Sequence, residues 1–389
     1  MKTAVTVCEY NPLHNGHVYS LNCIKRELSP DVTVVIMSGN FTERGEIAVL
    51  DKYARAKHAV LAGADVVIEL PVVFATATAE IFAKGAVKTA EYLGGDRTLC
   101  FGTESGTKAG LIATATMLSG ETREFKALLK AELNKGVSFA KARYDALEKM
   151  NIPGADLGFA ATPNNILALE YTKAVIENGF KTDVLPLLRV GAGYNDLKPE
   201  GNFHSARGIR ELILSGNKKK IKKYVPEFVY EDLPDTLPNA DDLIMFELLK
   251  ADKKFLKSVT DCTEGLENRF KALQKDTFTR AELIKKMTTK RYTSARIARI
   301  TLANALGITA AFTKKCLNEK LYLKVLAVKK DKLDCLSALA KGAPLVMRKT
   351  DADDLPAFAR ECFEKDVFAV DTYNLATKRK TNEFYTQII

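Results

Sequence analysis

The sequence predicts an α/β protein whose first half is a Rossmann-like parallel sheet, and three observations predict it. Short β-branched runs alternate with segments of helical spacing through the first 190 residues, which is the pattern of βαβ units. The first of these runs ends at an Asn-Pro break that opens directly into a helix. The basic residues are crowded into the second half, where strand patterns give way to helical ones.

Thr3 to Cys8 is the first run and reads as a buried strand. Asn11-Pro12 breaks it, and Val18 to Glu27 follows with helical spacing, which leaves His14 and His17 on the turn before the helix. Gly16 between them lets a ligand come close to the backbone. A helix start presents unpaired N–H groups and partial positive charge, and two imidazoles beside it add donors, so this turn suits a phosphate. The chain has 4 histidines and two of them lie here, which weighs against incidental surface residues.

Asp31 to Ser38, Ala64 to Leu70 and Thr98 to Gly102 read as further strands, with helices over Lys52 to Ala62 and Ala79 to Leu93. In such sheets ligands bind beyond the carboxyl ends of the strands. After the second strand, Ser38 and Gly39 lead to three cations, Arg44, Lys52 and Arg55, expected within reach of one another as substrate or phosphate contacts. After the fourth, Gly102 permits close packing of an adenine or ribose. Neither G-x-G-x-x-G nor a Walker A loop is present, which disfavours a dinucleotide fold and a P-loop NTPase.

Lys108 to Met150 reads as two or three amphipathic helices. A further helix opens at Thr162-Pro-Asn-Asn, with Asn164 or Asn165 expected as its cap. Lys181 to Arg189 looks like the last strand of the sheet; Arg189 at its end is a phosphate or ribose candidate, and Gly191 to Asp196 reads as a flexible loop. Phe203 to Arg210 starts another helix, which Ser205 can cap, with Arg207 and Arg210 one turn apart.

Residues 1–200 carry 22 Lys/Arg against 23 Asp/Glu, and residues 201–389 carry 36 against 25, so the whole net charge of +10 comes from the rear. A neutral front suits a small molecule, and a basic rear suits a polyanion. Lys218 to Lys223, followed by Pro226, Pro234 and Pro238, marks a boundary. Asp241 to Thr301 looks helical, and its last part concentrates Lys285, Lys286, Lys290, Arg291, Arg296 and Arg299 around Tyr292, the cations and stacking platform that RNA binding uses. Leu321 to Val328 and Pro344 to Arg348 look like strands of a small C-terminal element. The division is therefore 1–225, an α/β domain for a nucleoside triphosphate; 226–320, a basic helical domain suited to RNA; and 321–389, a small α/β element. No apolar run approaches the ~20 residues that span a bilayer, and Met1-Lys-Thr leads straight into a strand without a signal peptide. The 7 cysteines are scattered without a C-x-x-C pair, so a cytoplasmic location and no structural zinc are expected.

His14-Asn-Gly-His17 is similar to the His-x-Gly-His signature of nucleotidyltransferases related to class I aminoacyl-tRNA synthetases, and the longer Glu9 to His17 string resembles one branch, the tRNA(Met) cytidine acetate ligase family. Other blocks resemble that family in order: Ser38 to Glu46 with Asp51 to Arg55, Pro163 to Leu167, Ser205 with Ile209-Arg210, Glu264 to Asn268, Lys290 to Arg296, and Asp366 to Leu375. The departures are Leu13 where phenylalanine is usual, Tyr53 where tryptophan is usual, and Arg207 where the family has a hydroxyl. The resemblance implies catalytic roles for His14, His17 and Arg210. It places ATP along Val7, Cys8, Glu9, Tyr10, Asn11, Pro12, Leu13, His14, Asn15, Gly16, His17, Val18, Tyr19 and Ser20, with Gly102, Asn164, Asn165, Arg189 and Ser205. It further implies that acetate and ATP, with Mg2+ on the triphosphate, form acetyl-adenylate, and that the acetyl group passes to N4 of the wobble cytidine of elongator tRNA(Met), presented by its anticodon loop. No membrane or protein partner is implied. Two other readings fit parts of the chain: a cofactor-making adenylyl- or cytidylyltransferase, and a non-catalytic RNA-binding protein.

Overall fold

The structure is a computed structural model, and it describes residues 1–120, 122–151, 153–189 and 199–389. The expected loop Gly191 to Asp196 lies outside the described residues. Five strands in the front part, β1 Lys2–Cys8, β2 Val32–Ser38, β3 Val66–Leu70, β4 Asp96–Thr103 and β5 Asp183–Leu188, run parallel in the order β5-β4-β1-β2-β3. The register places Val5 of β1 opposite Val34 of β2 and Leu99 of β4. Every residue of β2 and β3 is buried, because helices cover both faces of a parallel sheet. These helices include α1 Asn15–Leu28, α2 Lys52–Leu61, α3 Ala79–Glu91 and α4 Pro163–Glu177. Three further helices, Lys108–Ser119, Arg123–Leu133 and Phe139–Met150, form the insertion before α4.

Two local readings are corrected. His14 occupies the N-cap of α1, but His17 is already in its first turn rather than on the preceding loop. The N-cap of α4 is Thr162, with Pro163 as the first helical residue; both asparagines lie inside the first turn. Proline is pre-organised for that position and lacks the N–H that a cap would satisfy.

Beyond α5 Ala206–Leu214, short helices lead to α6 Asp241–Lys250, α7 Arg280–Met287 and α8 Ser294–Ala305, whose buried faces pack together. The C-terminal segment then returns to the front. Its strand β6 Leu323–Val328 extends the sheet antiparallel to β3, and β7 Leu345–Val346 and β8 Gln387–Ile388 pair with β6. The sheet is therefore mostly parallel, with β6, β7 and β8 running opposite to the five front strands at one side. On α9 Ala357–Thr377, Asp366 Oδ1 accepts the Val72 N–H at 2.7 Å and satisfies a backbone donor just after β3. The Asp366 to Leu375 block thus has a structural task in closing the sheet.

Candidate active site at the start of the first helix

The carboxyl end of β1 and the start of α1 form one wall of a cavity of about 790 Å³, within the range of small-ligand sites. Tyr10 lies in the left-handed region (φ 47°) and Asn11-Pro12 is cis. His14 Nδ1 accepts the Gly16 N–H at 3.1 Å, and His17 Nδ1 accepts the His14 N–H at 3.2 Å. The two rings stack with centroids 3.7 Å apart, and Tyr10 meets His17 edge-on at 4.8 Å. With both Nδ1 atoms accepting, a neutral ring carries its proton on Nε2. Burial, with Arg189 and His204 nearby, pushes His14 down to about 3; burial and the neighbouring His14 push His17 well below the usual histidine value. The site is therefore a pair of uncharged Nε2–H donors in a positive surrounding. The space beside Gly16 is taken by the His14 imidazole, which a Cβ there would meet at 3.0 Å. The glycine accommodates that ring and itself lies on the cavity wall.

Phe101, Gly102, Asn164, Tyr171 and Arg189 also line the cavity. The stem of Arg189 crosses Gly102, where a Cβ would lie 2.9 Å from its Cγ. Asn164 lines the cavity and donates to Glu104 Oε1 at 2.6 Å. Asn165 is fully buried and spends its amide on Glu104 N, Ser105 Oγ and Gly158 O, so it holds the loop and not a ligand. Ser205 caps α5 through the Gly208 N–H, and Arg207 and Arg210 of that helix both line the cavity. Arg210 also donates to Asn11 O at 2.8 Å and lies 3.4 Å from Glu46. Of the front stretch, Val7, Cys8, Glu9, Tyr10, Asn11, His14, Gly16, His17, Tyr19 and Ser20 line the cavity, whereas Pro12, Leu13, Asn15 and Val18 are not on its wall. Leu13 is core, and Asn15 donates to Asn202 O and Lys223 O, tying α1 to the later segments.

The expected cluster of three cations is not formed. Arg44 is on the cavity wall, but Lys52 and Arg55 are fully buried beneath it. Lys52 Nζ bridges Glu69 and Glu383, each at 2.6 Å. Arg55 donates to the carbonyls of Glu9, Ser38, Gly39 and Leu50 and so pins the ends of β1 and β2. Ser38 and Gly39 are buried, and a Cβ at Gly39 would lie 2.4 Å from Glu69. These four residues support the site from behind.

Sequence reasoning did not find that the cavity continues onto the rear helices, where Asp241, Arg280, Ala281, Ile284, Ser294, Ala295 and Ala298 complete it. Arg280 Nη2 donates to Gly45 O at 2.6 Å, and Arg299 pairs with Glu43 at 2.9 Å, which fastens the front loop to α7 and α8. The RNA candidates divide accordingly. Arg296 is held by Asp261 and Glu264, and Arg299 by Glu43 and Asp261, so both are seam residues. Arg291 pairs with Glu264, and Lys286 with Glu282. Arg296 and Arg291 lie 5.4 and 5.9 Å from the Tyr292 ring centre. Lys285 and Lys290 are exposed with no ion pair among the described residues. Also among the described residues, no group of three His, Cys, Asp or Glu side chains is placed to hold a metal ion, and no helix is long and apolar enough to cross a membrane.

Comparison with known proteins decides the family. Residues 1–387 match the HIGH Nucleotidyl Transferase family. A tRNA(Met) cytidine acetate ligase of Thermoanaerobacter sp. (strain X514) is 36% identical over 385 residues, covering 96% of this chain and 95% of that protein. The chain belongs to the tRNA(Met) cytidine acetate ligase family. The corresponding ligase of Caldanaerobacter subterraneus subsp. tengcongensis is 37% identical over 390 residues, covering 97% and 96% of the two chains. Crystal structures of Thermotoga maritima TmcAL, with alpha-thio ATP and without ligand, superpose over 100% of both chains with TM-scores of 0.90 and 0.92 at 30% identity. The fold and order of the ligase family are thus present from end to end, including the rear helices and the returning C-terminal strands.

Proposed function

We propose that this chain activates acetate with ATP as acetyl-adenylate and transfers the acetyl group to N4 of the wobble cytidine of elongator tRNA(Met), forming N4-acetylcytidine. The observation that carries this reading is one continuous cavity, lined at one end by His14 and His17 and at the other by the helices of the basic region. An ATP site and an RNA-facing surface then share a wall, as a two-step transfer requires.

Acetate is a poor acyl donor until its oxygen carries a good leaving group. Its attack on the α-phosphate of ATP spreads negative charge over the phosphoryl oxygens. In our reading the Nε2–H groups of His14 and His17, the N-terminus of α1, and Arg210 stabilise that charge. Asn164 and Arg189 face the nucleoside side, and Ser205, Arg207 and Arg44 flank the phosphates. Mg2+ is expected on the triphosphate itself. The described residues offer it no carboxylate cage, because Glu43, Glu46 and Asp241 are each engaged by an arginine. Residues 1–225 hold ATP and acetate, residues 226–320 present the tRNA, and the strand of 321–389 closes the sheet behind the site.

The test is ATP–pyrophosphate exchange on the purified protein with and without acetate, then with tRNA added. Acetate-dependent exchange and labelled acetyl on tRNA are the expected results. Exchange supported by another acid, or acetate-independent nucleotidyl transfer to a small cofactor precursor, would overturn the reading.

A further inference from the structure

Acylating an amine releases a proton, so acetyl transfer needs a group that accepts it. Five carboxylates line the cavity: Glu9, Glu43, Glu46, Asp241 and Glu211, the last exposed on α5. Three are engaged by arginines, Glu43 by Arg299, Glu46 by Arg210 and Asp241 by Arg280. Glu9 forms no ion pair among the described residues; its Oε1 accepts the Glu43 N–H at 2.7 Å.

Its position is also distinctive. Glu9 follows the last residue of β1, five residues before His14, and its backbone carbonyl is held by Arg55. Its side chain contacts the backbone of Glu43, whose own carboxylate is clamped to Arg299 of α8. Glu9 therefore lies where the nucleotide end of the cavity meets the helical end. A cytosine amine offers N–H donors, and a carboxylate is the side chain that accepts from it.

We propose that Glu9 binds the N4 amine of the target cytidine and serves as the general base of acetyl transfer. This rests on the ligase reading above. As N4 attacks the acetyl carbonyl, the N4–C bond forms, the bond from that carbon to the AMP oxygen breaks, and AMP leaves with the electron pair. The N4 proton passes to the Glu9 carboxylate, which later releases it to water. Supporting this, burial raises Glu9 to about 7, partly countered by the Glu43 N–H, with Glu43 raising it further and Arg210 and Arg55 lowering it. Cys8 and Tyr171 are the other titratable groups close by, and burial pushes both up, so that both stay neutral. A base poised near the working pH is efficient in proton transfer.

The test compares E9Q with wild type in two assays: acetate-dependent exchange, and single-turnover transfer from acetyl-adenylate to tRNA across pH 5.5 to 9. The glutamine oxygen can still accept the Glu43 N–H, and thermal melting together with ATP binding checks the fold. Wild-type transfer should rise through about pH 7, since the base must be ionised. In E9Q the transfer rate should fall roughly 10²-fold, at least tenfold more than exchange, and the limb should vanish. Equal losses in both assays would place Glu9 in adenylation instead. An unchanged transfer rate or an intact limb in E9Q would overturn the assignment, as would loss of the limb in E211Q, the exposed carboxylate on the rim. A wild-type chain that neither exchanges nor acetylates would overturn the ligase reading itself, and this assignment with it.

Discussion

His17 accepts the backbone N–H of His14 on Nδ1 at 3.2 Å while His14 accepts the Gly16 N–H on its own Nδ1 at 3.1 Å. Each bond needs a lone pair on Nδ1, so protonating either ring breaks a cap of α1. All 4 histidines of the chain are depressed, His58 and His204 included, with burial as the leading cause. The unfolded chain takes up protons near pH 6.5 that the folded chain refuses. Their contribution to stability is therefore complete above that value and, for His14, declines as the pH falls toward about 3. Imidazole proton shifts in a histidine-labelled sample should show no titration at 6.5. A ring at His14 or His17 titrating with an ordinary value would refute the neutral-donor assignment.

Replacing His17 by alanine removes one donor from the developing charge and one acceptor from the start of α1. Acetate-dependent exchange should fall roughly 10²-fold, the cost of losing a single transition-state donor. Asparagine can restore a donor near the site and should recover part of the loss. Near-normal exchange in H17A would remove the ring from the chemistry.

Much of this was legible in the sequence for identifiable reasons. The β-branched runs from Thr3 to Gly102 specify buried strands because nothing else buries such continuous stretches, and all of them form. The Asn-Pro break and the two histidines mark the site because they sit at the end of a strand. What sequence could not supply was partnership. Lys52 and Arg55 look like solvent-facing cations, but the carboxylate partners of Lys52 come from β3 and from Glu383, over 300 residues away, and Arg55 is taken up by carbonyls at the ends of β1 and β2 and by Leu50 O. Arg296 and Arg299 read as RNA contacts for the same reason: Asp261 and Glu43, which hold them, are distant in sequence. Asn165 resembles its neighbour Asn164 until helical geometry sends one inward and the other to the cavity.

The buried group of Lys52, Glu69 and Glu383 explains the returning C-terminal tail. Glu383 reaches Lys52 at 2.6 Å, its carbonyl accepts the Tyr53 hydroxyl at 2.8 Å, and Gln387 donates to Tyr53 O at 2.6 Å. Burial opposes charge on Lys52, but Glu383 and Glu69 outweigh it and hold the ammonium charged. Removing that charge leaves two buried carboxylates unpaired, so K52M should cost about 3–5 kcal/mol in urea unfolding. A loss under about 1 kcal/mol would mean that the pair is dispensable. Deleting residues 380–389 should loosen α2 and show faster amide exchange there.

The split among the cations predicts different outcomes for tRNA binding. Lys285 and Lys290 are exposed and unengaged, so the double alanine variant should weaken tRNA binding and lower the salt slope by about 1 for each lost phosphate contact. Exchange without tRNA should be much less affected. Arg299 is held at the seam, so R299A should lower thermal stability along with binding, leaving Glu43 without its partner. A salt slope unaltered by the double substitution would place the RNA elsewhere.

Gly45 sets how closely the two halves approach. Its φ is +72°, and a Cβ there would lie 2.6 Å from the backbone of Ala298 and Arg299 on α8. Neither obstacle is a movable side chain, so G45A must displace the loop or the helix. The backbone conformation alone costs of order 1–3 kcal/mol, and the Arg280 bond to Gly45 O is strained as well. Because that loop and α8 both line the shared cavity, we expect acetyl transfer to fall more steeply than exchange. Hydrogen exchange should show the change confined to residues 42–47 and the start of α8. Equal loss of both steps would mean that the seam also sets the geometry at His14 and His17.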